Sequence, residues 1–199
     1  MLRSQHAEAT RRAVLAAARS LFGKKGYAQT SVDEIADVAR VTKGAVYHHF
    51  AGKEALFRAV LAEVEVEVEA EARAAGAGDP EAPPIDQIVA RVNAYLDAAL
   101  DEEMRRIALI DAPAVLGLEP EGSVDQHPGH VDLRSFIAAS TARGQIIDLD
   151  PDLLTHLIRG LVWLSGLQIA HASDPDVTRS ALGEALDAML RGLAPGTKR

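Results

Sequence analysis

Apolar residues recur at every third or fourth position through most of this chain of 199 residues, and Pro and Gly interrupt the pattern at three places. This spacing puts apolar side chains on one face of a helix, and no series of well-bounded alternating segments indicates a sheet. The breaks lie at 74–84, at 117–130 and at Asp174 and Pro175. We therefore expect an all-α protein of about nine helices, with no internal repeat.

One segment has a pattern typical of a strand and not of a helix. Residues 64–69 read Val-Glu-Val-Glu-Val-Glu, an alternation typical of a half-buried strand. We predict a helix here nevertheless, because the alternation lies within a longer stripe at helical spacing that runs from Phe57 to Val68. Glu is also a good helix former, and a lone strand would have no partner.

The composition excludes several classes of protein. The chain has no cysteine, which rules out a disulfide framework, a thiolate metal site and a cysteine nucleophile, and fits a reducing compartment.

The first residues show no secretory leader, since no apolar run follows Glu8. The longest apolar stretch, 160–170, contains Ser165 and Gln168 and is too short to cross a bilayer. We expect a cytoplasmic protein with no membrane partner.

The net charge of the chain hides an uneven distribution. The whole chain carries 21 Lys and Arg against 29 Asp and Glu, a net charge of −8, which by itself argues against a nucleic-acid partner. Residues 1–58, however, hold 10 basic and 5 acidic residues, a net charge of +5, whereas the remainder is −13. Such asymmetry indicates a specialised basic module at the N-terminus.

That basic segment has the signals of three helices. The first is expected at about 8–25, ending near Gly26, a residue type suited to helix C-termini. Ser31 followed by Glu34 forms a capping box for a second, short helix that ends near Ala39. Thr42 can cap a third helix at 43–49. Two short helices joined by a tight turn form a helix-turn-helix, whose second helix enters the major groove N-terminus first.

The residues of the third helix suit DNA. Lys43 can donate to guanine acceptors, Thr42 can bond a base or touch a thymine methyl group, and Gly44 lets the backbone approach closely. Polar residues that can reach phosphates lie one turn on and at neighbouring helix ends. These are Thr30, Ser31, Tyr47, His48 and Lys53.

Residues 10–57 closely resemble the DNA-binding domain of the TetR family of bacterial transcriptional regulators. The resemblance rests on Gly26-Tyr27, Thr30-Ser31-Val32, Ile35-Ala36, Val41-Thr42-Lys43-Gly44-Ala45, Tyr47-His48-His49-Phe50 and Lys53-Glu54-Ala55-Leu56-Phe57. It implies that Thr42, Lys43 and Gly44 face base edges and that Phe50 is core. Arg40 departs from the family, which usually has Gly in this turn; it would be strained if φ is positive, and could add a phosphate contact.

The resemblance also implies two domains: a helix-turn-helix domain at 1–52 and a helical regulatory and dimerisation domain at 53–199. Apolar helices near the C-terminus, at 153–171 and 182–193, support this independently, because helix pairs from two subunits can form a four-helix bundle. The residues expected in the dimer interface are Leu157, Gly160, Leu164, Leu182, Leu186 and Leu190. Dimerisation would match two half-sites of a palindromic operator.

Family members often enclose a small-molecule effector that releases DNA, so the resemblance implies a ligand-responsive repressor. The residues expected to line a pocket are Val64, Ile107, Ile110, Asp111, Phe136, Leu161 and Trp163, with His156 and Gln168 as further polar candidates. A mainly aliphatic lining favours an apolar or amphipathic effector. Residues 109–117 resemble a stretch common among these regulators at the end of the sixth helix, and Pro113 within it should kink or end that helix.

A metal-dependent enzyme is the alternative. Asp125, His127, His130 and Asp132 could ligate a metal, but the segment is rich in Pro and Gly and no helix would fix their geometry. Asp148, Asp150 and Asp152 resemble the start of a calcium loop that lacks the required Gly and terminal Glu. With no phosphate loop and no nucleophile elbow, we predict no catalytic residue, no metal and no cofactor.

Overall fold

The computed structural model describes residues 2–117 and 128–195, with side chains at 5–117 and 131–195. Over these residues the chain is all-α, as predicted, and forms nine helices. They are α1 (Leu2–Gln29), α2 (Val32–Ala39), α3 (Lys43–His49), α4 (Lys53–Gly76), α5 (Pro84–Ala98), α6 (Glu102–Met104, a π-helical stretch Arg105–Asp111 and Ala112–Leu116, continuous with one another), α7 (Pro128–Ala142), α8 (Pro151–His171) and α9 (Pro175–Arg191).

The first helix breaks at Gly26, where the sequence predicts its end. Gly26 lies at φ 82° and ψ 166°, outside the helical region, and a short helical segment follows it and runs to Gln29. Only glycine adopts this positive φ without strain. Helix α1 therefore consists of one long helix, a kink at Gly26 and a short continuation.

The helix-turn-helix forms as predicted. Ser31 caps α2, since its Oγ accepts a hydrogen bond from the backbone N–H of Glu34, and Thr42 caps α3 in the same way through Ala45. Between the two helices Arg40 lies in the left-handed region, with φ 57° and ψ 41°. Arg40 stands where the TetR family usually has glycine, and as an L-residue it adopts this left-handed conformation at a cost of about 1–2 kcal/mol.

The alternating segment 64–69 is helical, as predicted, and lies in the interior of α4. Val64 and Glu69 are buried, whereas Val66 is exposed. Burial therefore follows the helical stripe and not the alternation.

Pro113 has a different effect from the predicted kink or helix end. Proline has no N–H to donate to the carbonyl four residues earlier, and its ring crowds that carbonyl. The preceding residues form a wider π-helical stretch, Arg105–Asp111, and the helix continues to Leu116. A π-helical stretch of this kind often marks a functional position.

The described residues divide into two compact units. The N-terminal unit holds residues up to 66 together with 101–117, and the C-terminal unit holds 67–100 and the residues after 117. Helix α6 therefore belongs with the helix-turn-helix, although it is distant in sequence. The predicted domain limits, 1–52 and 53–199, stay a prediction.

The N-terminal unit is built around buried aromatic and aliphatic side chains. Phe22 and Phe57 meet edge to face at 5.2 Å between ring centroids, and Tyr27 contacts both rings. Ile35, Val46 and Phe50 are buried with them, so Phe50 is core as expected. These residues join α1 and α4 to the two short helices.

The C-terminal unit combines α5, α7, α8 and α9. Helix α9 packs on α5, and Arg179 spans the contact by hydrogen bonding to Asp97 and Asn93. By length and mean hydropathy, 1.3 over an 18-residue window, α8 would pass for a membrane span among the described residues. Core helices of soluble proteins pass the same test, so the observation is weak evidence for a membrane.

Replacing Arg40 with glycine should stabilise the protein. Glycine relieves the positive φ of this residue, so we expect the free energy of unfolding to rise by about 1 kcal/mol and Tm to rise by about 2–4 °C. Thermal unfolding followed by circular dichroism measures this change. The control is Arg40→Ala, which removes the guanidinium and keeps the strain; an equal rise in both variants would contradict the backbone explanation.

Candidate nucleic-acid interface

The N-terminal part of α3 is open to solvent. Thr42, Lys43 and Gly44 are exposed, and so is Tyr47, one turn further along the same face, with 51% of its surface accessible. His48 is exposed beside it. The structure therefore places the predicted base-reading residues together on one accessible surface, which we call the α3 surface.

Each of the two capping hydroxyls can still donate one hydrogen bond. Ser31 Oγ accepts from Glu34 N at 3.1 Å, and Thr42 Oγ1 accepts from Ala45 N at 3.2 Å. A hydroxyl that accepts a bond still has its proton to donate. Ser31 and Thr42 can thus cap their helices and, at the same time, donate to an anion or a base edge.

Lys43 has an acidic partner in the structure. Its ammonium group donates to Asp33 Oδ2 at 2.8 Å, and both side chains are more than half exposed. This hydrogen bond raises the pKa of Lys43, so the ammonium stays charged. Exposed pairs contribute little to stability, so Lys43 can exchange Asp33 for another acceptor. No local pattern in the sequence indicates Asp33 as the partner of Lys43.

Two predicted contact residues are already engaged in packing. Thr30 is only 2% exposed, and its hydroxyl donates to the carbonyl of Gly26 at 2.8 Å. Lys53 lies with its ammonium 4.0 Å from the Tyr27 ring centroid, and burial lowers its pKa. Thr30 is therefore enclosed by the chain, and Lys53 is held by a cation–π contact at the start of α4. Arg40, in contrast, is exposed.

The residues expected to line an effector pocket divide between the two units. Val64, Ile107, Ile110 and Asp111 belong to the N-terminal unit, whereas Phe136, Leu161 and Trp163 belong to the C-terminal unit. Trp163 is exposed, as are the polar candidates His156 and Gln168. Asp111 bonds the backbone N–H of Tyr27 at 2.7 Å. Their common role in one pocket stays a prediction.

Within the C-terminal unit, Phe136 lines a cleft of about 700 Å³. Its walls come from the connection between α4 and α5, from the end of α7 and from the residues after α9. Apolar Pro and Ala side chains form much of the lining, and Glu81, Gln87, Ser140, Arg143 and Gln145 add polar groups. The cleft is open to solvent and combines an apolar surface with hydrogen-bonding groups.

A buried polar cluster lies in the same unit. The Tyr95 hydroxyl donates to Glu69, and Arg91 pairs with both Glu69 and Asp132. Glu69 and Arg91 are buried. Burial and the Glu69 carboxylate together raise the pKa of Tyr95. The cluster links α4, α5 and α7, and each of its charges has a partner of opposite sign.

Of the six residues predicted for the dimer interface, the three on α8 are exposed, and the three leucines on α9 lie on the face that packs within the subunit. Leu157 and Leu164 are 54% and 49% exposed, and Gly160 lies between them on the same face of α8. Leu186 and Leu190 are only 5% and 4% exposed. The leucines at 182, 186 and 190 repeat every four residues, so they share one face of α9, and that face packs within the subunit.

The residues of the alternative metal site fall mostly outside the described part of the chain. Asp125 and His127 are not described, and neither is the side chain of His130. Among the residues that the structure describes, no three or more His, Asp or Glu side chains come together as a metal-binding group.

Comparison with known proteins identifies both parts of the chain. Residues 14–60 match the family model for bacterial regulatory proteins of the tetR family, and residues 85–193 match the model for a tetracyclin repressor-like C-terminal domain. The second match covers more than half of the chain, so it extends the resemblance well beyond the helix-turn-helix.

Individual relatives agree with the family models. The A-factor receptor protein of Streptomyces griseus is 43% identical over 63 residues, which cover 32% of this chain and 23% of that protein. The transposon Tn10 TetC protein of Escherichia coli is 25% identical over 167 residues, covering 84% of this chain and 82% of TetC.

A solved structure extends the similarity to nearly the full length. A TetR-family transcriptional regulator from Pectobacterium atrosepticum is 33% identical, with a TM-score of 0.86, and 98% of each chain is covered. The protein therefore belongs to the TetR family of bacterial transcriptional regulators.

Proposed function

We propose that this protein is a repressor that binds a palindromic operator as a homodimer and leaves it when a small molecule binds the C-terminal domain. The α3 surface carries the proposal, because it presents Thr42, Lys43 and Gly44 to solvent within a segment of net charge +5. Thr42 and Lys43 would contact base edges. Ser31, Arg40, Tyr47 and His48 would contact phosphates, which fix the register of the protein on the duplex.

An apolar stripe on α8 supports the dimer. Leu153, Leu157, Gly160 and Leu164 lie on one exposed face of the helix, opposite the buried residues that include Leu154 and Ile158. Exposed contiguous apolar surface marks interaction sites in soluble proteins. On α9 the exposed large apolar side chains are Val177 and Met189, and they replace the buried Leu186 and Leu190 as the candidate contacts from that helix.

The cleft beside Phe136 supports an effector of apolar or amphipathic character. It offers an aromatic ring, apolar walls and the polar side chains of Glu81 and Arg143, a combination suited to an apolar molecule with a hydrogen-bonding group. The effector would act by binding the conformation with low DNA affinity more tightly than the operator-bound one.

Because the chain belongs to a family of transcriptional regulators, we propose a cytoplasmic location, where the operator DNA is. The comparisons give no support to the alternative of a metal-dependent enzyme, since the proteins matched are transcriptional regulators.

Substitutions on the α3 surface test the DNA-reading proposal. Lys43→Ala should weaken binding to a duplex selected by the parent protein from a random library by about 10-fold to 100-fold, and should relax the base preference at one position of each half-site. Tyr47→Phe should weaken all duplexes alike. Fluorescence anisotropy at two salt concentrations measures both effects.

Asp33→Asn is the matched variant of that experiment. It removes the carboxylate that holds Lys43, so we expect affinity to rise by about twofold to fivefold. If Lys43→Ala binds selected and unselected duplexes as the parent does, α3 does not read bases through Lys43.

A charge placed in the α8 stripe tests the dimer. Leu157→Glu should bury an unpaired carboxylate between subunits and shift the protein to monomers, as measured by size-exclusion chromatography with light scattering. Val131→Glu makes the same change at an exposed apolar residue on α7 and should leave the dimer intact. A dimeric Leu157→Glu variant would contradict the proposed interface.

Filling the cleft tests the effector site. The amphipathic dye 8-anilinonaphthalene-1-sulfonate should bind the parent with enhanced fluorescence, and Phe136→Trp should reduce that binding because the larger ring occupies the cleft. Val66→Trp, which adds the same ring at an exposed position on α4, serves as the control for an added indole. Equal dye binding by parent and Phe136→Trp would remove the cleft as a candidate.

A further inference from the structure

The kink in α1 is held by a residue from a distant part of the chain. At Gly26 the ψ of 166° turns the peptide group between Gly26 and Tyr27 away from the helical direction. The N–H of Tyr27 instead donates to Oδ2 of Asp111 at 2.7 Å, across 84 positions of sequence. A carboxylate is a strong acceptor for such a backbone donor. Asp111 therefore satisfies the N–H that the kink redirects.

The fit around this hydrogen bond is close. A Cβ atom on Gly26 would lie 3.2 Å from Asp111 Oδ2, and one on Gly23 would lie 2.8 Å from Cγ of Glu103. The two glycines thus let α6 approach α1 at both of these points. The position of Asp111 follows in turn from the π-helical stretch 105–111, because changing that stretch to an α-helix would rotate its last residue about the helix axis.

Hydrogen bonds lead directly from the kink to the DNA-facing residues. The carbonyl of Gly26 accepts from the hydroxyl of Thr30 at 2.8 Å, and the carbonyl of Tyr27 accepts from the Thr30 N–H at 3.2 Å. The next residue, Ser31, caps α2. The peptide group that Asp111 fixes is therefore separated from the Ser31 hydroxyl by one short turn, which the two hydrogen bonds of Thr30 hold.

Side chains reinforce the same junction. The Tyr27 ring contacts Phe22 and Phe57, and the Lys53 ammonium lies over it. The charge of Asp111 also favours the charged form of Lys53. Asp111, Tyr27 and Lys53 thus tie α6, α1 and α4 together at the start of the helix-turn-helix.

We propose that Asp111 is a positioning residue for DNA binding: its carboxylate fixes the kink in α1 and so holds the N-terminus of α2 in the geometry that contacts the operator. This role differs from the effector contact expected from the sequence, and it rests on the DNA-binding function proposed above. Loss of the hydrogen bond lowers the fraction of molecules in the binding-competent geometry. The apparent affinity for DNA falls in proportion to that fraction.

Asp111→Ala tests the proposal in the full-length protein. We expect its affinity for the selected duplex to fall at least about tenfold. The Tyr27 amide should exchange with deuterium at least about tenfold faster, as seen by mass spectrometry on overlapping peptides that isolate this residue. Asp111→Asn keeps an acceptor oxygen at the same reach, so it should retain most of the affinity and of the amide protection.

Glu103→Gln is the matched control. Glu103 bonds Arg19 at 2.7 Å across the same contact between α1 and α6, away from the kink, so this variant should bind the duplex as the parent does. Asp111→Ser, whose oxygen falls short of Tyr27, should behave as Asp111→Ala and replaces it if that variant does not fold.

The outcomes separate the two proposals. The positioning role is overturned if Asp111→Ala binds DNA within twofold of the parent, if its Tyr27 amide stays protected, or if Glu103→Gln loses as much affinity. A parent protein that selects no duplex at all would overturn the DNA-binding function, whereas the exchange of the Tyr27 amide would still report on the hydrogen bond.

Discussion

The contact between α6 and the kinked end of α1 is the constraint on which the N-terminal unit depends. Helices of eight and seven residues, the lengths of α2 and α3, are too short to be stable alone in water and take their stability from tertiary packing. That packing comes from α1, which contacts both short helices and is itself contacted by residues 102–111. The helix-turn-helix is thus completed by a segment that follows it by more than fifty residues.

Local sequence signals predicted the local geometry well. The caps at Ser31 and Thr42 follow from side chains that bond their own neighbours, and such interactions depend on only a few residues. The positive φ of Arg40 could likewise be suspected from the turn alone. The helical state of 64–69 followed because a stripe at helical spacing outweighed three repeats of a strand-like alternation. In each case the deciding interactions lie within one or two turns of helix.

Features that depend on distant parts of the chain could not be predicted in this way. The sequence around Asp111 contains nothing that indicates its hydrogen bond with the Tyr27 N–H, because the two residues lie far apart in the chain. The leucines of α9 have the spacing of an apolar face, but the spacing does not say whether that face meets α5 or a second subunit. Asp33 was missed as the partner of Lys43 for the same reason: the pair forms only once α2 and α3 are placed against each other.

The pairing of Lys43 with Asp33 has a consequence for how this protein would search a genome. On non-cognate sequences the lysine would lose little by staying with its intramolecular acceptor, so those encounters would be short and would leave the protein free to move along the duplex. If Lys43 reads a guanine as proposed, the base would replace the carboxylate there, and the gain would appear as a longer residence time and not as faster arrival. One exposed ion pair would in this way set the ratio between time spent at the operator and time spent elsewhere.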